Sequence, residues 1–146
     1  MKSITSKLKK VHYLKLEKGD DILECIVSYC KEQKLSSGAV IGIGAVSNPS
    51  LGYFDLDEKT YLKNDYEFNA EILNCSGNIA KNAETGEFMA HLHMLVGDPK
   101  GNTFGGHLLP GNKITVTGEF VILETEEVLT RAIDEEFKLL LLNLEE

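Results

Sequence analysis

HLHMLVGDPKGNTFGGHL, residues 91–108, decides the fold because it reads as two strands joined by a tight turn. Side chains alternate across a strand, so Leu92, Met94 and Val96 share one face and His91 and His93 the other. Asp98-Pro99-Lys100-Gly101 follows, with proline second and glycine fourth. That is the chemistry of a type I turn closed by a left-handed glycine. Asn102 to Leu108 then returns as the partner strand, carrying a third histidine, His107.

Working outward, VHYLKLEKG (11–19) alternates and reads as a first strand, with Val11, Tyr13, Leu14 and Leu16 as its inward candidates. DDILECIVSYCKEQK (20–34) places Ile22, Leu23, Ile26, Val27 and Cys30 on one helical face. Asp21 with Glu24 three residues later suits a capping box. GAVIGIGAVSNPS (38–50) is continuously small and β-branched, which predicts a strand buried on both faces. Its Gly42 and Gly44 form G-x-G, but a phosphate-binding loop must open a helix, and Pro49 follows instead. These glycines are expected to mark a bulge or a close backbone approach. LGYFDL, YLK, EFNAEILNCSGNIA and KITVTGEFVILE supply further strands, and FKLLLLNL a last strand or short helix. The expected fold is α+β (α/β): a single domain with a large, mostly antiparallel sheet and one main helix after the first strand. Residues 1–10 are expected to form a basic, solvated arm and 11–146 the domain.

Net charge is −8 and Arg131 is the only arginine. Between Glu119 and Glu146 nine acidic residues face only Arg131 and Lys138. Phosphate contacts dominate nucleic-acid affinity and arginine makes the commonest specific base contact, so this composition argues against DNA as a partner. No apolar run approaches the ~20 residues a membrane span needs. The start, MKSITSKLKK, lacks the apolar core of a secretory signal, and the cytoplasm is expected. Cys25, Cys30 and Cys75 are odd in number. Five residues apart on a helix means about 140° apart, so Cys25 and Cys30 should not bridge.

The histidines carry the chemistry. If the glycine after the turn adds a residue, positions summing to 200 face each other. His107 then lies opposite His93, with Cβ atoms about 4.5–5.5 Å apart. Without it His107 turns to the other face, and an irregularity at Gly105-Gly106 would change the parity again. Two readings stand: unrelated surface imidazoles, or a three-histidine site for zinc or another divalent transition metal with an open position. Asp98, Glu119 and Glu71 are candidates for a supporting carboxylate. No phosphate-binding or nucleophile-elbow motif is present.

Together, LEKGDDILECIVSYCKEQKLSSGAVIGIGAVSNPSLGYFD, EILNCSGNIA, FMAHLHMLVGDPKGNTFGGHL and GEFVILE resemble the PPC domain, conserved in plants and prokaryotes. The resemblance runs from about Val11 to Leu142. It implies a homotrimer, and in prokaryotic members a metal set at His91, His93 and His107. Plant members largely lack these histidines and keep the fold. Their partner-binding motif matches here at Glu71, Ile72 and Leu73, and their separate arginine-rich DNA hook has no counterpart.

Three functions follow as expectations. The favoured one is a binding module with a metal site, its partner a small molecule or a protein. A DNA-associated regulator and a metal-dependent hydrolase or lyase are the alternatives. The residues favour binding over catalysis, because no general base is evident.

Overall fold

Strand β1 (Leu8–Leu16) leads through a short turn into helix α1 (Ile22–Glu32). The Asp21 side chain caps α1 by accepting from Glu24 N, satisfying a backbone donor the first turn leaves free. Ile22, Ile26 and Cys30 are the buried stripe of the helix. β2 (Ser37–Ser47), β3 (Ser50–Asp55), β4 (Thr60–Asp65) and β5 (Asn69–Asn82) follow. The chain continues with β6 (Phe88–Gly97), β7 (Thr103–Leu108), β8 (Lys113–Thr125), β9 (Thr130–Ile133) and β10 (Leu140–Asn143). This computed structural model describes residues 1–144. Glu145 and Glu146, the end of the domain expected over 11–146, lie outside the described residues.

The strands form one sheet in the order β1-β8-β2-β5-β6-β7-β3-β4, with β9 beside the end of β5 and β10 beside β9. Every pairing is antiparallel except β5 with β9. One domain built on a mostly antiparallel sheet with a single helix is therefore the architecture. Helix α1 covers the inner face, where Val40, Ile79, Leu92, Met94, Phe120 and Ile122 are fully buried. Each such large side chain contributes about 1.5–3 kcal/mol. Gly42 makes room for Phe120: a Cβ there would meet the ring at 2.2 Å. The β2 register slips beside it, between Gly42 and Gly44, and Gly44 has a φ of +152°. Among the described residues no helix is long and apolar enough to cross a membrane.

Three expectations need correction. In β1, Val11 and Tyr13 point outward (Tyr13 is 82% exposed), while Leu14 and Leu16 point inward. His12 takes the inward position beside them because Tyr29 Oη and Glu124 Oε2 satisfy both ring nitrogens, at 2.9 and 3.2 Å. β2 is covered on one face only; Ile41 and Ile43 lie about half exposed on the other. Finally, the basic segment is no free arm over 1–10. It joins the sheet at Leu8, and Lys9 Nζ pairs with the buried Glu124 carboxylate at 3.0 Å.

Candidate metal centre

The hairpin geometry settles the parity of the turn. The turn closes with Gly101 N donating to Asp98 O at 3.1 Å and Asp98 N to Asn102 O at 2.9 Å. Gly101 has a φ of +83°, the left-handed region glycine enters freely. From Gly97 paired with Thr103 to His93 paired with His107, every facing pair sums to 200, with no slip at Gly105-Gly106. Close packing is what those two glycines provide. A Cβ on Gly106 would meet Gly52 O of β3 at 2.7 Å, and one on Gly105 would touch the Leu95 side chain at 3.3 Å.

His91, His93 and His107 thus share the outer face. Their ring centroids are 5.3 Å (91–93), 5.1 Å (91–107) and 5.6 Å (93–107) apart. One nitrogen from each lies within 4.8 Å of the others. Burial pushes the His107 imidazole down to about 4, helped by the charges of His91, His93 and Arg131. His91 is lowered too, by burial first and then by Arg131 and His93. At neutral pH His107 is therefore unprotonated, as a metal ligand must be. Its Nδ1 is buried without a hydrogen-bond partner, and its ring stacks on Tyr61 of β4 at 4.7 Å. A soft-to-borderline nitrogen set with an orphaned buried nitrogen suits a divalent transition metal.

Arg131 stands beside the triad, and the sequence reading gave it no role. Parallel pairing of β9 with β5 sets Arg131 next to Asn82. Its side chain is 3% exposed and donates to Asn78 Oδ1 (2.6 Å) and Leu140 O (3.1 Å). Asn78 in turn pairs with His91 across β5 and β6. The available signal was that one arginine stands alone among apolar residues in a lysine-using chain. A cavity of about 440 Å³ opens here, with Tyr61, His91, His107 and Arg131 on its polar side. Met89, Ile133 and the Leu139–Leu141 segment form its apolar side.

The supporting carboxylates considered from sequence are elsewhere. Asp98 sits five residues from His93, about 16 Å along a strand. Asn102 engages its carboxylate and holds it below the usual range. Glu71 pairs with Gly97, about 13 Å from the triad. Glu119 lies on β8, three strands from β6. The segment Glu71-Ile72-Leu73 splits at a bulge: Glu71 and Leu73 are exposed, whereas Ile72 is a core residue at 2%. Cys30 and Cys75 are buried free thiols, each pushed up to about 12 by burial.

A small antiparallel sheet domain presenting a preorganised histidine triad on its outer face is the class that fold and site define. The model of the Plants and Prokaryotes Conserved domain matches residues 4–126, and the chain belongs to that family. A metal-containing protein from Archaeoglobus fulgidus superposes with a TM-score of 0.87 at 30% identity, covering 98% of this chain and 99% of that one. A plant- and prokaryote-conserved protein from Pyrococcus horikoshii gives 0.89 at 25% identity, over 100% and 99% of the two chains. The bifunctional protein GlmU of Synechococcus sp. (strain JA-3-3Ab) is 33% identical over 119 residues, 81% of this chain. The match spans only 18% of that relative's length.

Proposed function

We propose that this protein is a homotrimeric binding module whose working site is a divalent metal, zinc by preference, held by His91, His93 and His107, with a small molecule or a protein as its partner. The carrying observation is the convergence of three imidazole nitrogens within 4.8 Å. The metal-containing relative from Archaeoglobus fulgidus supports the reading. When bound, the metal supplies a Lewis acid with an open coordination position. The chain's own residues do the rest: Tyr61 fixes the His107 ring by stacking, and Arg131 supplies a positive charge beside the opening.

Binding is favoured over catalysis because, among the described residues, the cavity lining carries no carboxylate to act as a general base. A trimer is supported by the outer face of β1, β8 and β2. Tyr13, Ile41 and Ile43 lie 82%, 50% and 55% exposed there, an apolar patch of the kind that a subunit contact covers. A DNA role is disfavoured, because the only arginine is buried. The cytoplasm is the compartment we assign, since free, buried thiols suit a reducing environment.

Metal analysis of tag-free protein tests the reading. One zinc per chain, located at the triad by anomalous scattering and lost in His93→Ala, is expected. Metal-free protein that also refuses added zinc overturns it.

A further inference from the structure

Among the described residues, Arg131 is a buried cation without a counter-charge. Its side chain is 3% exposed, and no carboxylate among the described residues pairs with it. Burying an unpaired charge is among the costliest things a fold can do, unless a ligand completes the site. Two of the five guanidinium N–H groups are spent, on Asn78 Oδ1 and Leu140 O. Those bonds fix the plane of the fork, and Nε is buried with no partner. Beside it lie His91 and His107, whose protonation Arg131 opposes by its own charge. The pocket wall is therefore positive in a chain of net charge −8, and a bound divalent metal would make it more so. Lys138 at the rim adds little, because Glu135 Oε2 neutralises it at 2.6 Å.

The remaining wall is apolar. Met89 and Leu139–Leu141 line a space of about 440 Å³, room for a short hydrocarbon body and more than an inorganic ion needs. We infer that this cavity binds a small organic oxyanion, its head between the Arg131 guanidinium and the histidine triad and its apolar body against Met89 and Leu139–Leu141. The inference rests on the metal reading for part of the head's attraction, while Arg131 supplies the rest without a metal. A carboxylate and a phosphate monoester share this chemistry, and the probes below separate them.

The test is calorimetric titration of the full chain, zinc-loaded and chelator-treated, with acetate, hexanoate, hexyl phosphate and inorganic phosphate. Zinc content is measured in parallel. At least tenfold tighter binding of hexanoate than acetate, or of hexyl phosphate than inorganic phosphate, is expected, and the stronger of the two arms names the head group. Arg131→Gln should weaken the better ligand at least tenfold with zinc stoichiometry unchanged. Met89→Glu, which places a charge in the apolar wall, should abolish the preference for the longer ligand. If Arg131→Gln does not fold, Arg131→Lys and Met89→Glu carry the test, the lysine keeping charge but losing the fork and most of the affinity. Neither longer ligand binding more tightly than its short counterpart, or affinity indifferent to both substitutions, overturns the inference. Anion binding that depends on Arg131 in protein that takes no zinc would overturn the metal reading and leave this one standing. Zinc binding with no anion bound does the reverse.

Discussion

His93 and His107 face each other directly across the β6–β7 hairpin, and the residue that makes them do so is Gly101, six positions before His107. The left-handed glycine adds one residue to the turn, which brings His107 to the histidine face instead of the core face. Site assembly is thus a matter of parity, set at a distance from the ligands themselves.

Removing one residue of β7 should abolish metal binding without touching a histidine. Deleting Gly105 while Gly97 stays opposite Thr103 moves His107 from opposite His93 to opposite Met94, on the core face, so zinc content should fall to near zero in protein that keeps its β-sheet circular dichroism. Gly101→Val keeps the count and forces a β-branched residue to a φ of +83°. It should bind zinc normally while losing about 1–2 kcal/mol in urea denaturation.

Metal-free protein should lose stability in mild acid. The folded pKa of His107 is about 4, below its ordinary value of 6.5, so between these values the unfolded chain holds more protons than the folded one. Stability then rises with pH through this window, is fully present above about 6.5 and is lost as pH falls toward 4. Urea titrations of chelator-treated protein at pH 4.5 and 7 should show the difference, and His107→Phe should reduce it. An equal slope in that variant would place the acid sensitivity elsewhere.

Glu124 offers a second, separate test. It is 3% exposed and accepts from Lys9 Nζ, His12 Nε2 and Ser36 N. Burial works against its ionised form, yet the hydrogen bonds from Lys9 and His12 hold its pKa below the ordinary value. Glu124→Ala leaves His12 and Ser36 N without that acceptor and should cost about 1–3 kcal/mol, with zinc content unchanged. Because the folded pKa is depressed, the carboxylate's contribution is present above pH 4.5 and lost below it.

The hairpin, the helix and the antiparallel sheet were legible because alternation and helical spacing are strong where only one face is apolar. β1 and β2 misled for the opposite reason. With Val11 and Tyr13 outside and Leu14 and Leu16 inside, both faces of β1 are apolar, and periodicity alone cannot choose between them. The histidine set was readable down to one bit, the parity of the turn. Arg131 was not readable, because β9 is only four residues long and its neighbour β5 is far away in sequence.

The doubly apolar strands supply the fourth prediction. Ile41→Asp with Ile43→Asp places charges on the exposed face of β2 and should convert the proposed trimer to monomers in sedimentation velocity runs. Side chains half in water lose little on substitution, so the monomer should stay folded. Unchanged sedimentation would place the subunit contact elsewhere.

Row by row across the sheet, Tyr13, Val121, Ile41, Ser76, His93 and His107 lie in one line of facing residues on the outer surface. None of the three histidines is counted among the buried core, whose inward neighbours Leu92, Met94 and Leu108 belong to the opposite parity. Chemistry and scaffold are thus written in alternate letters of the same strands. Such a text can be edited in one set without corrupting the other: the triad can be erased or rewritten while the domain goes on folding, and the core can drift while the triad keeps its shape.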